Sequence, residues 1–135
     1  SMDDYIEIAR EVLQTEKKAA IAQAMQLSDE ESKGFWPLYN EYAAKVNKIH
    51  DHRVGLIKSY ANNFNKLTDE KADAIWIEAM KINQDLMKLK KTYYKKFKKV
   101  MPASRAARYF QAENKIETLI DAQLAVEIPL IEKTK

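Results

Sequence analysis

The chain has 135 residues, 46% hydrophobic and 32% charged, with two Gly, three Pro and no Cys. That length fits one domain able to bury about two-thirds of its extended-chain surface, and the composition excludes a disordered chain, a turn-rich sheet, disulfides, thiolate metal sites and a cysteine nucleophile. The net charge of +3 is unevenly laid out, because residues 86–112 carry nine Lys or Arg and no carboxylate while the rest holds fourteen basic and twenty acidic residues: a basic sector on an acidic body.

In chain order, Ser1 ahead of Met2 reads as a cloning remnant within residues 1–3, so the missing leader carries no information. From about Asp4 to Met25, Tyr5, Ile8, Val12, Ala19 and Ala22 fall near helical spacing, with Ile6, Leu13 and Ile21 widening the stripe, and predict a first helix. Ser28, followed three residues later by Glu31, predicts a capping box and a second helix from Asp29 to about Phe64. Thr68 before Asp69 and Glu70 repeats that start forty residues on, with Lys71 where the reciprocal acid would stand. Acidic first turns suit the positive end of a helix dipole.

Phe35, Tyr39, Tyr42, Val46, Ile49, Leu56 and Tyr60, with Arg53 filling one gap, form a heptad-like seam. Ile75, Ala79, Ile82, Leu86, Leu89, Tyr93, Phe97 and Val100 form another. Pro37 is expected to kink the second helix or reset its first turns, with Gly34 easing the change. The short polar stretch from Asn62 to Leu67 makes the two long helices antiparallel neighbours. Pro102 is expected to end the third helix and open a fourth, about Ala103 to Val126, with Ala107, Phe110, Ile116, Leu119, Ile120 and Leu124 as its apolar side, before a tail over 127–135. A second helix of that length extends about 54 Å, against roughly 37 Å for a compact sphere of this chain. The expectation is one all-α domain, four-helical and elongated, with a broad face its own chain leaves uncovered.

Little here suggests catalysis. His50 and His52 diverge by about 200° on a helix and predict no shared metal, Ser28 and Ser104 read as helix starts, and Gly34 and Gly55 make no phosphate loop. No enzyme activity, cofactor or metal is expected. No apolar run is long enough to cross a membrane. Trp36 and Trp76, each eight residues after a cap hydroxyl, are expected in the core. The sharper candidate is the stretch from Lys88 to Val100 with Arg105 and Arg108. Lys88, Lys91, Lys95, Lys98, Arg105 and Arg108 are the residues expected to hold an acidic, partly apolar polypeptide surface, with Tyr94 outside the seam beside them. A nucleic-acid ligand using the same sector, a purely structural coiled-coil module and an ordinary solvated lysine face stand as alternatives.

The duplicated start resembles the repeated Leu-Thr-x-x-Gln motif of the Spy/CpxP family of bacterial envelope-stress proteins. Leu27, Ser28 and Glu31 occupy the motif positions in one copy and Leu67, Thr68 and Lys71 in the other, with Gln in neither and Ser for Thr in the first. The stretches from Phe35 to Tyr42, Leu56 to Asp73, Tyr93 to Ile116 and Leu124 to Ile131 are similar to a diverged, secreted branch. The resemblance implies a hooked four-helix protomer pairing antiparallel into a curved homodimer in the periplasm, its signal peptide removed. It implies an ATP-independent, chaperone-like or sensor-modulating role, with unfolded or partly folded proteins, or the periplasmic domain of a sensor kinase, as partners.

Overall fold

A computed structural model describes residues 16–133. The fold is all-α, with four helices and, among the described residues, no strand. Helix α1 covers residues 16–25; Tyr5, Ile6, Ile8, Val12 and Leu13 of the predicted first helix, and the remnant at 1–3, lie outside the described residues. Then come α2 (Asp29–Asn63), a 3₁₀ turn (Phe64–Lys66), α3 (Asp69–Phe97) and α4 (Ala103–Glu127).

Both predicted starts form. Ser28 Oγ accepts from the Glu31 amide at 3.1 Å, and Glu31 Oε1 accepts from the Ser28 amide at 3.0 Å, which closes the capping box. Those contacts, the Ser28 amide first, hold the Glu31 carboxyl below its ordinary range. Thr68 Oγ1 accepts from the Lys71 amide at 3.2 Å, and Lys71 offers nothing in return. Leu27 packs half-buried against the core, and Leu67 is half-buried at the other end of the hairpin. At Gln26, between α1 and the first cap, φ is +46°, a left-handed conformation that lets the chain reverse within three residues.

The 35 residues of α2 extend about 52 Å. The helix continues through Pro37 instead of being reset there, although the proline deprives the Lys33 carbonyl of its donor. Gly34 serves a different end from the expected one: a Cβ built on it would stand 3.3 Å from Val100 Cβ, so the missing side chain lets α2 approach the turn after α3.

The core lies at one end of the hairpin, where Phe35, Tyr39, Tyr42 and Val46 of α2 meet Leu86, Tyr93 and Phe97 of α3, Ala106 and Tyr109 of α4, and Ile21 and Met25 of α1. It is mainly aromatic. Phe35, Phe97 and Tyr109 stand 4.8 to 5.5 Å apart, and Tyr42 lies 5.0 Å from Tyr93 and 5.5 Å from Phe110. Pairs with this spacing add about 0.5 to 1.5 kcal/mol each beyond their buried area.

Helix α4 returns antiparallel to α3: Phe110 packs on Tyr94, Lys90 reaches Asn114 and Glu117, Arg53 reaches Asp121, and the Tyr60 hydroxyl donates to the Pro129 carbonyl at 2.6 Å. In turn α1 runs antiparallel to α4, with Lys17 on Glu113 and Ala24 beside Arg108.

Four expectations are corrected. α3 ends at Phe97, five residues before Pro102, because residues 98–101 close a turn in which the Val100 and Met101 amides donate to the Phe97 carbonyl. Val100 accordingly leaves the seam and is exposed. The face α4 buries is Ala106, Tyr109 and Glu113; Ala107 and Leu119, expected on the apolar side, are exposed, Leu119 by 73%. Trp36 is half-buried against the core as expected, but Trp76 is 64% exposed.

Candidate interaction surface

Of the six cations singled out from sequence, the fold groups four. Lys88, Lys91, Lys95 and Lys98, the last as the C-cap of α3, follow each other in steps of three, four and three, and all are exposed; Lys88 also borders a shallow groove with Lys45 and Ile49 of α2. None of them has an acidic partner among the described residues. Lys98 lies over the Tyr94 ring at 4.8 Å. Lys95, in the last turn of α3, faces the negative end of the helix dipole, which lowers the cost of gathering like charges there.

Arg105 and Arg108 go elsewhere. Arg105 donates to the Met25 carbonyl at 3.0 Å and pairs with Glu31 at 3.3 Å; Arg108 donates through Nε to the Ala24 carbonyl at 2.8 Å. Both cap the C-terminal end of α1, where the last carbonyls of a helix lack intrahelical donors. Lys90 and Lys96, in the same basic run, are also engaged: Lys90 with Glu117 at 3.0 Å, Lys96 over the Tyr93 ring at 4.7 Å and 3.7 Å from Glu41.

Large apolar side chains are exposed on α3, and the sequence reading missed them: Met87 adjoins Lys88 and Lys91, whereas Met80, Ile77 and Trp76 lie about two to three turns before Lys88, with Asp73 beside the last two. Trp76, Met80 and Met87 are 64%, 42% and 53% exposed, with Ile77 exposed beside them. At steps of four and seven, the first three form a second apolar stripe alongside the seam series Ile75, Ala79, Ile82 and Leu86. That period is legible in the sequence, but the seam residues next to each member absorbed the signal. A stripe of this kind, with unpaired cations following its C-terminal end, is a candidate interaction surface.

A second feature was missed altogether. Glu113 is 1% exposed, its Oε2 2.6 Å from Lys17 Nζ and its Oε1 accepting from the Tyr109 hydroxyl at 2.7 Å. Burial, and then this carboxylate, push the Tyr39 phenol up to about 12 and raise those of Tyr42 and Tyr109 further. The Tyr42 hydroxyl is buried without a hydrogen-bond partner. The available signal was a lone acid in register with Ala106 and Tyr109 at steps of three and four.

The two histidines diverge as the helical spacing requires. His52 Nε2 meets Glu78 at 2.7 Å across the hairpin. His50 is half-buried, and desolvation pushes it down to about 4 although Glu117 opposes the shift. Among the described residues no group of three His, Asp or Glu is placed to hold a metal ion, and no helix is long and apolar enough to cross a membrane.

Comparison with family models, curated proteins and solved structures finds no match to the chain.

Proposed function

We propose that the protein is a polypeptide-binding protein of the bacterial envelope, non-enzymatic and independent of cofactors, which holds unfolded or partly folded segments against the outer face of α3. The observation that carries this reading is the sequence along α3 and its C-cap of exposed Trp76, Ile77, Met80 and Met87 followed by Lys88, Lys91, Lys95 and Lys98, which have no acidic partner among the described residues. Lysines speed the encounter with acidic segments through long-range attraction, and the apolar stripe supplies short-range contact. Methionine suits low specificity because its flexible, polarisable side chain adapts to different partners. The periplasmic setting and the homodimer rest on the Leu-Ser-x-x-Glu and Leu-Thr-x-x-Lys resemblance. Polypeptide is favoured over nucleic acid because Tyr94, the aromatic group nearest the lysines, packs edge-on against Phe110 and carries its own Lys98 over its ring, so it offers no free stacking platform.

The test is suppression of aggregation of a chemically unfolded client, without ATP, at two salt concentrations. Wild type is expected to suppress it, less so in high salt. The triple change Lys88→Glu, Lys91→Glu, Lys95→Glu, and separately Trp76→Ser with Met80→Ser, are expected to lose suppression while keeping the helical circular dichroism. Suppression unchanged in both variants overturns the assignment; no suppression by wild type, with binding to a sensor-kinase periplasmic domain instead, identifies a dedicated partner.

A further inference from the structure

A groove runs along α4 on the side where it meets the end of α3. Its volume is about 740 Å³, and it is lined by Tyr94, Phe110 and Leu119, with Ala107, Asn114 and Thr118 between them and Lys115 at the rim. No carboxylate lines it, and Lys115 is the one charged residue in the lining. Lys98, over Tyr94, adds a second cation at the α3 wall, and Lys91 lies one turn back along α3. Phe110 packs against Tyr94, Tyr42 and Phe97, so the floor is rigid. Leu119, 73% exposed, has an apolar side chain its own chain does not cover.

We infer that this groove is a docking site for an acidic amphipathic helix of a partner polypeptide, a second surface that goes beyond the α3 face proposed above. Three observations select that occupant. Leu119 lies twelve residues beyond Ala107, a rise of about 18 Å, which matches about three turns of a helix presenting apolar residues at i, i+3 or i+4, and i+7. The groove is open along its side, so a small ligand would stay largely in water, whereas a helix laid lengthwise buries one whole face. The charge is one-sided: cations at the rim, none neutralised by a lining acid, complement Glu or Asp flanking the apolar face of the guest. The short side chains of Ala107 and Thr118 leave room for the guest's backbone, Leu119 and the packed rings of Phe110 and Tyr94 offer apolar surface along the groove, and the free amide of Asn114, whose oxygen accepts from Lys90 at 3.0 Å, offers donors to a guest carboxylate.

The probe is a fluorescein-labelled peptide of about fifteen residues with Leu at i, i+3, i+7 and i+10 and Glu on its other faces. A second peptide has the same composition scrambled so that no apolar face forms, and a third has Lys for Glu. Fluorescence anisotropy is expected to show the first binding the full chain at least about tenfold tighter than either other peptide, with its helicity rising on binding and its affinity falling with added salt. Leu119→Ser and Lys115→Glu, both at exposed positions, are expected to weaken it about tenfold or more, whereas Trp76→Ser is expected to leave it unchanged. Equal binding of the scrambled peptide overturns the proposal. Loss with Trp76→Ser but not with Leu119→Ser puts binding on the α3 face, so that the groove fails and the general reading stands; no peptide binding by a chain that still holds an unfolded client does the same. Failure of both assays removes both readings. If sedimentation instead shows that Leu119→Ser converts a dimer to a monomer and the peptide does not bind, the occupant is a second copy and the proposal falls.

Discussion

Replacing Lys17 by Met keeps most of the side-chain volume and removes the charge facing Glu113. Glu113 is 1% exposed and Lys17 17%, so the carboxylate has almost no water to turn to once the ammonium is gone. Breaking a buried pair from one side costs about 3 to 5 kcal/mol. Here two features limit the loss. The Tyr109 hydroxyl still donates to Oε1 at 2.7 Å, and Glu113 can escape its isolation by taking a proton. Keeping a carboxyl neutral at pH 7 against an ordinary value of about 4.3 costs about 3.7 kcal/mol, which sets the ceiling. The expected destabilisation at pH 7 is about 3 kcal/mol, read from urea unfolding followed by fluorescence. The double variant Lys17→Met, Glu113→Gln should recover much of the loss. A cost below about 1 kcal/mol, or strictly additive effects in the double variant, would show that the pair does not fasten α1 to the bundle.

Further outcomes follow from the same geometry. Because desolvation lowers His50 to about 4, the unfolded chain binds the extra proton between that value and about 6.5; stability should fall by about 1 to 3 kcal/mol as pH drops through this window, and His50→Gln should flatten that part of the profile in thermal melts at fixed ionic strength. Ser28→Ala should cost about 1 to 2 kcal/mol in urea unfolding and Thr68→Ala about 0.5 to 1, since only the first hydroxyl belongs to a reciprocal box. Arg108→Ala should cost about 1 kcal/mol by releasing the Ala24 carbonyl and should leave client binding intact, whereas charge reversal at Lys91 should show the opposite pair of effects.

The helical architecture was legible because its signals are local. Ser28 and Thr68 start helices through their own hydroxyls, and the seams repeat every three to four residues regardless of what lies across them. The end of α3 was less legible, since Pro102 marks only where a helix cannot continue, and the turn closed on the Phe97 carbonyl ends it sooner. The face of α4 was misread for a tertiary reason. Hydropathy ranks Leu119 above Glu113, but the ammonium of Lys17 and the hydroxyl of Tyr109 make the carboxylate the better core residue, and neither neighbour is near it in sequence except Tyr109. The cationic site was legible as composition and not as geometry. A count of nine cations cannot distinguish Lys91, which faces solvent, from Arg105, which is spent on the carbonyl of a residue eighty positions away.

Among the buried hydrophobic side chains of the described residues, only Tyr60 and Ile82 lie outside the aromatic cluster. The hairpin is therefore anchored at one end and lightly held at the other, and its free energy of opening is graded along its length. Amide protons of α2 near Tyr39 and Tyr42 should exchange only through global unfolding, while those beyond Gly55 exchange through cheaper local openings. Trp36 at the anchored end and Trp76 near the loose one give each half its own optical reporter. The apolar stripe that begins at Trp76 thus starts in the part of the molecule that yields first, where a partner can reshape the surface it binds without unsettling the core.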